Sequence, residues 1–377
     1  MPPYQVRGRL LKSGMTDDLI TVGNQLILIN PSRTPRLPDE GCSVWAEFLW
    51  GLEKSSLNVI KCNQEAWRMR VPLPGRFNVE WMLNHIRTSS YGLPYRFVDH
   101  RVLRRPLWFA GAPVVVEFDL SQADTMGLRL VPLRGHAARP RKKKAALLGE
   151  LTTQALFLWG LDDDARGLHA AMASNCDMAP LVERFGELRI VRAPDLYEAL
   201  LVAVIGQQVS VRAAQSIRRR LMQSLGTRVT VGNAPGQEDH YLYPTARQLI
   251  KVGELGLREQ GLSRQKSAYL LEIAHRAATG ELDRDAFATL SDEDALRRLC
   301  EIKGVGRWTA EIALMRGLGR NDVFAAGDLG LQVAVQELRG MRKRPSEKAL
   351  RKIAERWKGW RSYAAFYLWM TLQSRAL

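Results

Sequence analysis

Up to about residue 135 the apolar positions come in short runs or alternate with polar ones, and from about residue 146 they recur every three or four residues. That change of period predicts a β-containing N-terminal part followed by a helical one. Within 1–70, "LITVGNQLILI" and "CSVWAEFLWG" are split by the turn-forming "PSRTPRLPDEG", which predicts a small β-rich module. "FNVEWMLNHI" (77–86) reads as a helix capped by Asn78. "PLWFAG", "APVVVEFDL" and "LRLVPL" read as strands, making 71–135 an α+β domain. Further on, "APDLYEALLVAVIGQQVS" has an apolar stripe at Leu196, Leu200, Ala203 and Val204. Ser210 then caps "VRAAQSIRRRLMQSLG", where Ala213, Ile217, Leu221 and Leu225 recur every four residues and Gly226 closes the helix. Helices follow at "PTARQLIKVG", "RQKSAYLLEIAHRAATG", "SDEDALRRLCEI" (with Ser291 and Asp294 as its start signal), "GRWTAEIALMRG", "LGLQVAVQEL", "SEKALRKIAERW" and "WRSYAAFYLWMTLQ". No repeat of solenoid period is present.

A chain of 377 residues is long enough for two or three domains, and 46% apolar with 25% charged residues excludes wholesale disorder. Charge changes the picture more. Lys and Arg number 55 against 39 Asp and Glu, a net of +16, which points to a polyanionic partner, most commonly nucleic acid. "GHAARPRKKKAA" (135–146) carries five of those basic residues and reads as a linker or solvated surface loop. Cys42, Cys62, Cys176 and Cys300 form no short Cys-x-x-Cys pair, so neither a disulfide framework nor a zinc or iron–sulfur site is expected. The longest apolar run, "ALLVAVI" (199–205), is too short to span a bilayer, and "MPPYQVRGRLLKSG" lacks a secretory apolar core. The expectation is an intracellular, monomeric protein with no membrane partner.

The chemistry concentrates in "LCEIKGVGRWTAEIALMRGLGRNDVFAAGDLGLQ" (299–332). Two helical patterns are joined by "KGVG", whose glycines allow tight backbone geometry and close approach. The second helix offers unpaired N–H groups and a positive dipole end to an anion, of which phosphate is the obvious case. A Gly-x-Gly between helices is equally an ordinary αα-hairpin turn, and Asp328 is equally an N-cap for "LGLQVAVQEL".

Taken whole, the stretch resembles the helix-hairpin-helix signature of the DNA glycosylase superfamily, and "GVGRWTA" with "DVFAAGDLGL" looks closest to the 3-methyladenine DNA glycosylase II family. "VIGQQVSVRAAQSI", "YLYPTARQLI", "LSRQKSAYLLEIA" and "ERWKGWRSYAAFYLWMTL" resemble that family in the same order. The resemblance covers 190–377 and, more loosely, 71–190; residues 1–70 match nothing in it.

The resemblance implies a mostly α fold. Its two-lobed helical core comprises 196–320, with the helix-hairpin-helix, and 146–195 plus 321–377. A TBP-like α+β domain (71–135), a basic linker (136–145) and the β-rich module (1–70) precede that core. It casts Asp328 as the catalytic carboxylate, since breaking an N-glycosidic bond develops positive charge on the sugar. Trp308 and Trp369 take aromatic pocket positions, where an indole face attracts a cationic alkylated purine. Ile312 and His85 stand where the family has Tyr and Phe, which opens the substrate range, and His85 would gain charge on mild acidification. Gln208 takes the position of the side chain inserted into the stack. Gly304, Gly306, Arg307 and Thr309 line the DNA-binding hairpin, and the main-chain carbonyls of Cys300, Ile302 and Gly304 form the family's monovalent-cation site for K+ or Na+. No cofactor is required. "AAG" replaces a Pro-rich loop before Asp328, and Trp308 stands where bifunctional members carry a Schiff-base Lys.

The expected function is therefore a monofunctional DNA glycosylase of base excision repair, without AP lyase activity. It flips alkylated, 3-methyladenine-type purines out of double-stranded DNA and excises them, in the bacterial cytoplasm (nucleoid) or the eukaryotic nucleus. The alternatives are a non-catalytic helix-hairpin-helix DNA-binding protein and a glycosylase for oxidised or deaminated bases.

Overall fold

The computed structural model describes residues 18–22, 25–29, 61–63, 68–89, 93–134, 144–232 and 238–375. Strands β1 (Asp18–Val22) and β2 (Gln25–Ile29) form an antiparallel hairpin, and the rest of 1–60 lies outside the described residues. Six strands, β3 (Lys61–Asn63), β4 (Arg68–Pro72), β5 (Arg96–Phe97), β6 (Val102–Phe109), β7 (Ala112–Asp119) and β8 (Thr125–Val131), make one antiparallel sheet in the order β3-β4-β8-β7-β6-β5. The division expected between residues 70 and 71 thus falls inside β4. Its alternating "RMRVP" turns Met69 and Val71 into the core beside β8, so the sheet claims the segment before the Pro/Gly turn.

Helix α1 (Val79–Thr88) starts where Asn78 accepts the Trp81 amide, and buries Met82, Leu83 and Ile86 in the main core. A parallel bridge from Phe77 to Glu187 ties this domain to the helical part. Residues 136–143 of the expected basic linker lie outside the described residues, and 144–145 already belong to α2 (Lys144–Leu158).

The helical part continues with α3 (Ala165–Ala173), α4 (Ala179–Phe185), α5 (Leu196–Gly206), α6 (Val211–Leu225), α7 (Ala246–Glu259), α8 (Arg264–Ala278), α9 (Asp292–Cys300), α10 (Arg307–Ala313), α11 (Leu329–Leu338), α12 (Glu347–Ala354) and α13 (Arg361–Gln373). Helix α5 is the axis of the core: every residue from Ala199 to Ile205 is buried, beyond the expected stripe, as befits a helix apolar all round. Its neighbour α6 departs from expectation. A step of four drifts by about 40° around a 3.6-residue turn. The buried face is therefore Ala214, Arg218, Leu221 and Met222, while Ala213 is exposed. Gly226 does end α6, though with extended backbone (φ −79°, ψ −179°); what it avoids is a Cβ collision with the Leu242 and Met222 carbonyls.

The helical part also holds an unexpected β-hairpin. Strands β9 (Thr227–Val231) and β10 (Glu238–Leu242) form a hairpin between α6 and α7. Its Val229, Val231 and Leu242 pack on Val115 and Val131, covering the sheet face opposite the main core.

Candidate active site

Ser291 starts α9 by accepting the Asp294 amide at 3.1 Å, and α10 starts at Gly306 with no side-chain cap. Between them Gly304 has φ +89°, and a Cβ there would land in the Tyr269 ring, so both conformation and space demand glycine. Gly306 is different: its φ is −82° and nothing crowds it. The hairpin is bolted to the end of α5. Gln207 Nε2 donates to the Gly304 carbonyl at 3.0 Å and to Thr309 Oγ1 at 2.9 Å. Lys266 Nζ donates to the carbonyls of Ile205 and Gln207 at 2.8 and 2.6 Å, placing a cation on the negative end of α5. Gln208, next in the chain, is exposed with φ +53°, a left-handed backbone rare outside glycine.

The two hairpin side chains expected at the DNA differ in their burial. Thr309 is 2% exposed, and its hydroxyl accepts from Gln207 rather than facing an anion. Arg307 stays exposed, with its guanidinium paired to Glu311 (3.0 Å) and Glu293 (3.5 Å). Of the three carbonyls expected around a cation, Ile302 accepts the Val305 amide and Gly304 accepts Gln207, so each retains one lone pair. Among the described residues no cluster of His, Cys, Asp or Glu is arranged to hold a metal.

Twenty-four residues after Gly304, Asp328 caps α11, and its Oδ1 accepts the Leu331 amide at 3.0 Å. The preceding loop folds on itself through Ala326 N to Phe324 O and Asp328 N to Ala325 O, both 2.8 Å. Trp308, in the first turn of α10, donates its indole N–H to Asp328 Oδ2 at 3.0 Å, and Trp369 of α13 donates to Oδ1 at 3.1 Å. The structure therefore brings together the three residues singled out most strongly by sequence. It also shows what spacing could not: both indoles turn their polar edges to the carboxylate.

Residues 201–359 match the model of the HhH-GPD superfamily of base excision DNA repair proteins. The chain is similar to this superfamily over that stretch. It is 29% identical over 227 residues to a DNA-3-methyladenine glycosylase of Bacillus subtilis, covering 57% of this chain and 74% of that one. It is 32% identical over 184 residues to DNA-3-methyladenine glycosylase 2 of Escherichia coli, covering 49% and 60%. Among solved structures, the 3-methyladenine DNA-glycosylase from Archaeoglobus fulgidus matches with a TM-score of 0.68 at 27% identity, over 82% of this chain and 98% of that one.

The other two expected pocket residues lie deeper. Ile312 is buried one turn beyond Trp308. His85 is 2% exposed, edge-on to the Phe366 ring at 4.8 Å, with Nδ1 3.0 Å from Gln373 Oε1. Both partners are on α13, the helix that carries Trp369, and Phe366 itself is core. Burial, reinforced by the nearby Arg316 guanidinium and opposed only by the Gln373 bond, lowers the His85 pKa from 6.5 to about 3. The expected gain of charge on mild acidification is thus overturned: the ring stays neutral far below pH 5.5.

Sequence reasoning passed over Gln207, Lys266 and Arg316. Arg316 is buried, donates to the Val191 carbonyl at 2.6 Å, and lies 5.4 and 5.9 Å from the Phe366 and Trp369 rings. A lone Arg inside the apolar run "IALMRGL" was the available signal, since such a charge is buried only with partners. Lys266 gave no comparable signal on its helix.

Proposed function

We propose that this protein is a monofunctional DNA glycosylase that excises alkylated, 3-methyladenine-type purines from double-stranded DNA. The observation that carries the reading is the Asp328 carboxylate held between two indole N–H groups and a helix N-terminus, beside a hairpin built for close backbone approach. The names of the relatives support it.

The geometry suits the reaction as follows. The C1′–N bond breaks with its electron pair leaving on the base, and an alkylated cationic purine departs neutral, so little acid catalysis is needed. Positive charge develops on the sugar, where a fixed carboxylate stabilises it and orients the water whose oxygen joins C1′. A carboxylate has about four acceptor directions. Among the described residues Leu331 and Trp369 fill those of Oδ1 and Trp308 takes one of Oδ2, which leaves the free lone pair on Oδ2. That oxygen is the one we assign to face the sugar or the water.

The hairpin amides and the basic surface hold DNA phosphates, Gln208 enters the stack, and K+ or Na+ completes the hairpin carbonyls. No described helix is long and apolar enough to cross a membrane. With Trp308 in the position of a Schiff-base Lys, strand cleavage through an imine is not part of the reaction. The test is base release from a panel of lesion-bearing duplexes with and without borohydride. Release of 3-methyladenine with no trapped enzyme–DNA adduct is expected; release confined to oxidised or deaminated bases, or no release despite duplex binding, would replace this reading with one of the alternatives.

A further inference from the structure

Asp328 and Trp308 sit on different elements, and their 3.0 Å hydrogen bond requires both to be held. The loop carrying Asp328, "VFAAGD" (323–328), has no proline and mostly small side chains, so its covalent structure does little to stiffen it. One guanidinium supplies an external tie. Arg351 of α12 donates through one terminal nitrogen to Glu311 Oε1 (2.7 Å) and to the Phe324 carbonyl of this loop (3.2 Å). Through the other it donates to Glu311 Oε2 (3.3 Å) and Glu347 Oε1 (2.8 Å). Glu311 lies on α10, three residues after Trp308, and is 2% exposed. A planar fork with two donors on a carboxylate and a third contact on a main-chain oxygen fixes direction as well as distance, which an ammonium does not.

We propose that Arg351 and Glu311 are positioning residues for base excision: the pair clamps the loop bearing Asp328 to the helix bearing Trp308 and so sets where the carboxylate stands. This rests on the glycosylase reading. Both residues act through Asp328 and touch no substrate. Glu311 is buried and Arg351 half-buried, and desolvation of the carboxylate offsets much of the attraction; the use of the pair here is geometric. Burial pushes the Glu311 carboxyl up, and Arg351 and Arg307 pull against that shift.

A cavity of about 390 Å³ lined by Glu311, Arg351 and Phe324 provides a way to test the claim. Removing the Arg351 side chain leaves a space that free guanidinium can enter. Single-turnover release of 3-methyladenine by Arg351→Ala is expected to fall about a hundredfold, the loss a misplacement near 1 Å can cause. Affinity for a duplex bearing a tetrahydrofuran abasic analogue should stay within about twofold, because the hairpin is untouched. Millimolar guanidinium should recover part of the rate in Arg351→Ala and none in Asp328→Asn. A wild-type rate in Arg351→Ala, equal losses of rate and affinity, or no guanidinium recovery would overturn the assignment. If Arg351→Ala does not fold, Arg351→Lys decides: slower release at unchanged affinity supports the clamp, and wild-type release refutes it. Absence of any release by the wild-type enzyme would instead fail the glycosylase reading, before the clamp is in question.

Discussion

Two Asp-Leu pairs begin helices in this protein, and they differ in everything except that role. Asp195 caps α5 by accepting the Glu198 amide at 2.7 Å, and Asp328 caps α11 by accepting the Leu331 amide at 3.0 Å. After Asp195, Leu196 turns into the core at 1% exposure; after Asp328, Leu329 is left 58% exposed. Asp195 is itself exposed, whereas Asp328 is half-buried and receives two indole N–H groups on top of its cap. Capping is therefore common to both and explains neither the donors gathered around Asp328 nor the apolar side chain left open beside it. A single exposed Leu is ordinary; it is the three donors on the Asp328 carboxylate that set this helix start apart.

The strongest test of that contrast exchanges the carboxylate for its amide at both places, since Asn caps a helix about as well as Asp. Asp328→Asn should lower 3-methyladenine release by about a thousandfold or more, with duplex affinity the same or higher, and Asp195→Asn should leave release unchanged. Comparable rates for the two variants in single-turnover assays would erase the distinction.

A smaller effect is expected at His85, where burial acts without any opening to the surface. Its folded pKa of about 3 lies below the unfolded 6.5, so between those values the unfolded chain binds the proton first. Its contribution to stability is thus present above about pH 6.5 and is lost as pH falls toward 3, about 2–3 kcal/mol of it by pH 4.5. His85→Phe should show a shallower acid loss of stability in denaturant titrations from pH 7.5 to 4.5. Between pH 5.5 and 8 its base-release profile should keep the wild-type shape. A steep acid loss retained in His85→Phe would place the titrating group elsewhere.

The smallest effect concerns the indoles. Trp369→Phe or Trp308→Phe removes one hydrogen bond to a charged acceptor, about 1.5–3 kcal/mol at most, so release should slow about tenfold or somewhat more. Tyr197→Phe, far from Asp328 and bonded to the Pro244 carbonyl, should change stability without changing the rate. Full activity in both Trp variants would reduce their role to that of aromatic walls.

Much of this was legible from pattern because it depends on neighbours in sequence. Asn78, Ser210 and Ser291 cap the helices they precede, and a cap needs only three residues of context. Asp328 and Trp308 stood out within one stretch of 34 residues. What escaped depends on distant partners. "TRVTV" and "EDHYL" are too short and too polar to announce a hairpin until Val115 and Val131 give their apolar positions a face to cover. The α6 stripe erred because a four-residue step follows the chain better than it follows the helix. The state of His85 was hidden for a related reason: its neutrality comes from desolvation and from Arg316, 231 positions away in the chain.

The bond from Gln207 to Gly304 and Thr309, with Lys266 behind it, makes the turn bearing Gln208 and the glycine hairpin one solid piece. On the function proposed above, in which the hairpin grips phosphates and Gln208 enters the stack, this amounts to a calibrated gauge. The interval between the point of grip and the point of probing is set once, when the chain folds, and is not assembled anew at each encounter. Ordering entropy that would otherwise be charged to every collision is then already settled, and the time spent on each intact base pair is governed by how readily the DNA yields.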